Sequence, residues 1–262
     1  MRFNARQKQI LEVASRDGMV SIEALAHEFK VTPQTLRRDL NWLCDQNLLV
    51  RHHGGASLPN SVRNLRYDIR KNSLSVEKQA IARCLVDQVP DHASLFINIG
   101  TTTEAVAREL ARRRHGLHVV TNNLNVAMLL AEQPDFEIVV TGGVVRTRDF
   151  GIVGQAALDM IKHFRVDVGI IGISGIDLDG TLLDFDHREV MIAQAIIDNS
   201  RKVFLAADHS KFGRSAMVRV GHVGRIAALF TDQAPPRELA EALAAANTAV
   251  HIADVQHRSE NA

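Results

Sequence analysis

A chain of 262 residues, 46% hydrophobic and 23% charged, can bury a sizeable core and suits one large or two ordinary domains. It has no run of about eighteen apolar residues to span a bilayer, and the start "MRFNARQKQILEV" lacks the apolar stretch of a signal peptide, so a cytoplasmic protein without a membrane segment is expected. The net charge of +1 is uneven: residues 1–71 carry twelve Lys or Arg against seven Asp or Glu, which is +5 there and −4 for the remainder, so the basic end is a candidate nucleic-acid footprint.

From Arg6 to Ala14 the spacing of Ile10, Leu11 and Val13 predicts a first helix, stopped by "RDG" at 16–18. Ser21 caps a second helix whose Ile22, Leu25, Ala26 and Phe29 face inward. The connection "KVT" leads to a third helix beginning at Pro33, with Thr32 as its cap; a proline at the first helical position loses nothing, because its missing N–H would be unpaired there. On that helix Leu36, Leu40 and Leu43 share one face, while Gln34, Arg37, Arg38 and Asn41 share another. Two short helices joined this way, the second with outward polar groups, form the helix-turn-helix that fits a major groove. Next, "NLLVRHHGGASL" reads as strand, Gly54-Gly55 turn and return strand, a wing that carries Arg51, His52 and His53 toward backbone phosphates.

Residues 57–76, "SLPNSVRNLRYDIRKNSLSV", have weak periodicity and read as a linker with some helix. Beyond them, apolar runs alternate with helical patterns: "SLFINI" at 94–99, "HVVT" at 118–121, "EIVVT" at 137–141, "VGIIGI" at 168–173, "KVFLAA" at 202–207, "AALFT" at 227–231 and "AVHIA" at 249–253. That alternation predicts a mainly parallel sheet covered by helices. The expected organisation is a DNA-binding domain at 1–57, a linker at 58–76 and an α/β domain at 77–256.

In an open parallel sheet, ligands bind beyond the carboxyl ends of the strands. After the first strand, Gly100, Thr101, Thr102 and Thr103 open a helix with amides, hydroxyls and a positive helix end suited to an anion. Other strand ends supply Asn122, Gly142, Gly143 and Asp177, and Lys211 in "ADHSKFG" offers a cation. A phosphorylated ligand with a polyol or sugar body fits this set, with Thr101 to Thr103 and Lys211 at phosphate and Asn122, Asp177 and Glu189 near hydroxyls. Asp177, Asp179, Asp184, Asp186 and Glu189 could also serve proton transfer, so an isomerase or deaminase stands as an alternative. Cys44 and Cys84 are far apart and lack the spacing of a zinc or redox site, so neither metal nor cofactor is expected.

The run "VTPQTLRRDLNWLCDQNLLVRHHGGA" at 31–56 resembles the winged helix-turn-helix of the DeoR family of bacterial transcriptional repressors. The resemblance implies that the recognition helix runs from Pro33 to about Gln46 and that Arg37 and Arg38 face DNA, with Thr32, Gln34, Thr35, Arg51, His52 and His53 beside them. It also implies a sensor domain of the sugar-phosphate isomerase-like type that binds rather than converts its ligand. Further stretches, among them "IARCLVDQVPDHASLFINIGTTTEAVA", "VVTNNLNVA", "FRVDVGIIGISGID" and "AADHSKFGRSAMV", resemble family members that answer to glycerol 3-phosphate. A homodimer or homotetramer on double-stranded operator DNA, released by that ligand, is therefore implied; release by another sugar phosphate is the alternative. Asn98 departs from the pattern, since the family more often has an aspartate there, and "REVMIAQAI" lacks the basic residue usual after the glutamate.

Overall fold

The computed structural model describes residues 4–255, except 18, 47, 53 and 58–66. The described residues form two compact units divided between Leu74 and Ser75.

The first unit contains α1 (Ala5–Asp17), β1 (Met19–Ser21), α2 (Ile22–Glu28), α3 (Pro33–Asp45), β2 (Val50–His52), β3 (Gly55–Ser57) and α4 (Tyr67–Asn72). Its core joins Ile10, Leu11 and Ala14 of α1 to Ile22 and Leu25 of α2 and to Leu36, Leu40 and Leu43 of α3. Each fully buried leucine contributes about 1.5–3 kcal/mol, which is why the apolar stripe fixes the rotation of α3 about its axis. Ser21 Oγ accepts from Ala24 N and Thr32 Oγ1 from Thr35 N, so both helices begin at the expected caps. The wing has a third strand that the sequence reading lacks. β1 pairs antiparallel with β3, which makes β3 the middle strand of β1-β3-β2. Gly55 permits this approach, because a Cβ there would lie 2.0 Å from Val20 O.

The second unit starts with α5 (Ser75–Val86), β4 (Ser94–Ile97), α6 (Thr101–Arg113), β5 (His118–Thr121), α7 (Leu124–Leu130) and β6 (Glu137–Val140). It continues through β7 (Val144–Val145), β8 (Ile152–Val153), α8 (Gln155–Ile161), β9 (Val166–Ile171), β10 (Gly175–Ile176) and β11 (Thr181–Asp184). α9 (His187–Asp198), β12 (Ser200–Ala206), β13 (Val218–His222), β14 (Ala228–Thr231), α10 (Arg237–Ala245) and β15 (Ala249–Ile252) complete it. The seven expected strands form one parallel sheet in the order β15-β14-β12-β9-β4-β5-β6. One face packs Leu95, Ile97 and Val119 against α5, α6 and α7; the other packs Phe96, Val120, Leu205 and Leu229 against α8, α9 and α10. β7 and β8 form a hairpin, and β10, β11 and β13 a small antiparallel sheet.

The chain enters the main sheet at β4, runs to one edge through β5 and β6, then returns to β9 on the other side of β4. That reversal opens a crevice at the carboxyl ends of β4 and β9. At α6, Val106, Ala107 and Leu110 are buried as their spacing predicts. The arginines at its end have partners: Arg113 pairs with Asp87, and Arg114 Nη2 donates to Val86 O at 2.7 Å at the end of α5. The carbonyl end of a helix carries a partial negative charge that attracts such cations.

Candidate DNA-reading surface and effector site

On α3, Gln34, Arg37, Arg38 and Asn41 are exposed opposite the buried leucines. Thr32 and Thr35 stand at its start with hydroxyls 2.9 Å apart. Between the two faces, Asp39 is only 6% exposed. It accepts from Arg6 Nε at 2.5 Å and Gln7 Nε2 at 3.2 Å, both on α1, and from Asn4 Nδ2 at 3.4 Å. α3 is thus tied to α1 by a charge pair as well as by the core. Arg51 is exposed on β2, and His52 ends that strand; His53 lies outside the described residues.

At the crevice of the second unit, Gly100 takes φ +153° and Thr101, Thr102 and Thr103 form the buried first turn of α6. The first amides of a helix have no carbonyl partner within it, so they and the dipole favour an anion. The three threonines differ in role. Thr103 Oγ1 donates to the carbonyls of Asn98 and Gly100, both at 2.8 Å, and so closes the turn. Asn98 accepts from Ile99 N at 2.7 Å through its own Oδ1. One strand over, Asn122 is buried and Asn123 caps α7. Beyond β6, Gly142 is exposed, while Gly143 allows the chain to turn against β8, where a Cβ would lie 2.7 Å from Val153 O.

After β12, the turn of residues 208–211 carries Asp208, fully enclosed, with Lys211 Nζ 4.0 Å away. Burial alone would raise the Asp208 pKa, but the charges of Lys211 and Lys78 and the Ser210 hydroxyl bring it down to about 2. His209 Nδ1 lies 2.5 Å from Asp232 Oδ2, which joins this turn to the end of β14.

Two expected ligand groups are engaged elsewhere. Asp177 is exposed in the turn between β10 and β11, where its Oδ1 accepts from Leu178 N at 2.8 Å. Glu189 on α9 lies 2.9 Å from Nη2 of the buried Arg146, which also binds Asp149 at 2.7 Å and Asp186 at 3.0 Å. Burial disfavours the Arg146 charge, yet Glu189 and Asp149 more than offset that and its pKa is raised. Asp186 also loses its proton affinity: burial is outweighed by hydrogen bonds from Arg188 and Arg146, giving a pKa of about 2. The structure therefore brings Gly100–Thr103 and Asn122 together at adjacent strand ends and sets Lys211 two strands away from β4, across β9.

Lys78 is absent from the sequence reading of the site. It is 5% exposed, and its charge acts on Asp208. The signal is present: Lys78 stands in the stripe of Ile81, Ala82 and Leu85, where a charged residue on the buried face needs a partner.

A winged helix-turn-helix with an exposed arginine pair, in one chain with a parallel α/β unit whose strand ends gather helix amides, hydroxyls and lysines, defines a DNA-binding regulator with a small-ligand sensor. Residues 6–62 match the DeoR-like helix-turn-helix domain and residues 74–233 the DeoR C terminal sensor domain, so the chain belongs to the DeoR family of transcriptional regulators. It is 51% identical, over 93% of its length, to the glycerol-3-phosphate regulon repressor of Escherichia coli strain K12, of which it covers 96%. It is 47% identical, over 90% of its length, to the protein of the same name from Haemophilus influenzae strain Rd, of which it covers 91%. The HTH-type transcriptional repressor CsqR of Escherichia coli is 40% identical over 90% of each chain. Among solved structures, ribose 5-phosphate isomerase A from Methanocaldococcus jannaschii has a TM-score of 0.38 at 17% identity, covering 52% of this chain and 53% of that one. Among the described residues no helix is long and apolar enough to cross a membrane.

Proposed function

We propose that the protein is a cytoplasmic repressor of glycerol-3-phosphate metabolism genes, released from its operator by a phosphorylated small ligand, first of all glycerol 3-phosphate. The observation that carries this reading is the 51% identity to a glycerol-3-phosphate regulon repressor over 93% of the chain, which takes in the recognition helix and the sensor unit alike. Arg37 and Arg38 enter the major groove; Thr32, Gln34 and Thr35 support them, and Arg51, His52 and His53 reach backbone phosphates from the wing. Amides and hydroxyls of Gly100–Thr103, with Lys211, hold the ligand phosphate. Asn122 meets its hydroxyls, and Gly142 and Gly143 leave room beside them.

The reading is of a sensor, not an enzyme. A general base needs a pKa near the working pH, whereas Asp186 is held at about 2 and Glu189 is bound to Arg146. Palindromic operators mirror protein symmetry, so the repressor acts as a homo-oligomer, and ligand binding favours the conformation that holds two half-sites less well. Mapping the protein on its host chromosome, with and without glycerol in the medium, tests this. Protected sites upstream of glycerol-3-phosphate genes that clear on glycerol support the proposal; sites elsewhere, or sites insensitive to glycerol, refute it.

A further inference from the structure

Among the described residues, the buried polar atoms without a hydrogen-bond partner at the carboxyl end of the main sheet include two on neighbouring strands, Oδ1 of Asn122 and Oγ1 of Thr141. Their residues are 1% and 3% exposed. Strand register sets them side by side. Thr121 pairs with Val140, and Thr141 N donates to Thr121 O at 3.0 Å, so residues 122 and 141 are the next pair along. Alternation puts both side chains on the face of Val120 and Val139. Asn122 is fixed in place, since its backbone O accepts from Ile152 N at 2.7 Å and its Nδ2 donates to Ile152 O at 3.1 Å.

The fold explains neither group. A buried acceptor or hydroxyl without a partner costs its desolvation, and a valine of the same shape would avoid that cost at position 141. We propose that Asn122 Oδ1 and Thr141 Oγ1 form a hydroxyl-reading subsite that selects the polyol arm of a short phosphorylated ligand. The inference rests on reading Gly100–Thr103 as the anion site. β4, β5 and β6 are consecutive in the sheet. With strands about 4.8 Å apart, Asn122 stands one step and Thr141 two steps from the strand that feeds α6, on the scale of a small polyol phosphate. An acceptor beside a group that both donates and accepts matches a vicinal diol: one hydroxyl donates to Asn122 and its neighbour exchanges a hydrogen bond with Thr141. The segment 146–151 is tied to this end of the sheet, with Leu124 N donating to Phe150 O at 3.1 Å and Asn123 bridged to Gly151. A site built to pair with hydroxyls rejects the analogue that lacks them.

The test compares wild type, Thr141→Val and Thr141→Ser in release from operator DNA by glycerol 3-phosphate and by propyl phosphate, with thermal melting of each protein as a folding control. Thr141→Val should need at least tenfold more glycerol 3-phosphate than wild type, Thr141→Ser should stay within a few-fold, and propyl phosphate should act equally weakly on all three. Thr141→Val should melt no lower than wild type, which separates a lost ligand contact from a damaged fold. Equal sensitivity of Thr141→Val and wild type to glycerol 3-phosphate overturns the subsite and leaves the anion site standing. A wild-type protein released by neither compound overturns the anion reading and the subsite with it.

Discussion

Arg6 Nε on α1 donates to Asp39 Oδ2 on α3 at 2.5 Å, from beneath the helix that presents Arg37 and Arg38. Asp39 follows the arginine pair directly, so its anchoring sets the angle at which they leave the surface. A hydrogen bond to a charged group contributes about 1.5–3 kcal/mol, and Asp39 collects donors from Arg6, Gln7 and Asn4. Asp39→Ala should therefore destabilise the first unit by roughly 2–3 kcal/mol and weaken operator binding, although Asp39 does not face the groove. Chemical denaturation followed by Trp42 fluorescence checks the first effect, and an operator titration on the folded fraction the second.

Arg37→Ala and Arg38→Ala should each weaken operator binding with little change in stability, since both side chains are exposed. An arginine that reads guanine should cost about 1–3 kcal/mol on the specific sequence alone. One that contacts phosphate should lower binding to all DNA and reduce the salt slope by about one. Titrations of both mutants against operator and random DNA across salt concentrations assign the roles; wild-type affinity in both would remove α3 as the recognition helix.

In the sensor unit, Thr102→Ala and Lys211→Met should raise the ligand concentration needed for release by about ten- to a hundredfold, the equivalent of one charge-assisted hydrogen bond of roughly 1.5–3 kcal/mol. Lys211→Met has a second effect that Thr102→Ala lacks. It removes the cation beside Asp208, so the Asp208 carboxyl should take up its proton at higher pH than in wild type. Calorimetric titration with glycerol 3-phosphate checks the first expectation and NMR titration of the Asp208 carboxyl the second.

The main sheet was legible because buried parallel strands read as continuous apolar runs, and "SLFINI" or "KVFLAA" leaves little else to choose. β1, β7, β8 and β10 are two or three residues long, too short for any alternation to show, and β1 exists only because Gly55 lets it approach β3. α3 was legible down to its cap, since Thr32, Pro33 and the leucine stripe are local signals. What sequence does not carry is which partner a polar residue meets. Thr103 looks like its two neighbours yet spends its hydroxyl on two carbonyls, and Glu189 looks like a ligand group yet lies against Arg146, forty-three positions earlier. Lys78 is not legible as a site residue because helix periodicity says only where a residue faces, and the charge of Asp208 that accounts for a buried lysine there comes from another strand end.

Acid should weaken the sensor unit through Asp208. Its carboxyl pKa is about 2 in the fold against an ordinary value of 3.8, so the native state binds this proton less readily than the unfolded chain. Its stabilising contribution, roughly 2 kcal/mol at 1.36 kcal/mol per unit, is complete above about pH 4 and is lost as the pH falls toward 2. The stability gap between wild type and Asp208→Asn should therefore be constant from pH 7 to 5 and shrink below pH 4. Urea unfolding at pH 6, 4 and 2.5 measures it, and a gap that does not change with pH would remove Asp208 as the source.

The most direct measurement is fluorescence anisotropy of the full chain on labelled DNA from a promoter of its own glycerol-3-phosphate genes, titrated with glycerol 3-phosphate, glycerol and a hexose phosphate. Glycerol lacks the phosphate that the α6 amides and Lys211 are proposed to hold, so it should leave the complex intact, while glycerol 3-phosphate should dissociate it at the lowest concentration of the three. Release at lower concentration by the hexose phosphate would contradict the named effector. Binding that persists through all three titrations, or that shows no preference for promoter over random DNA, would contradict the proposal of a phosphate-released repressor itself.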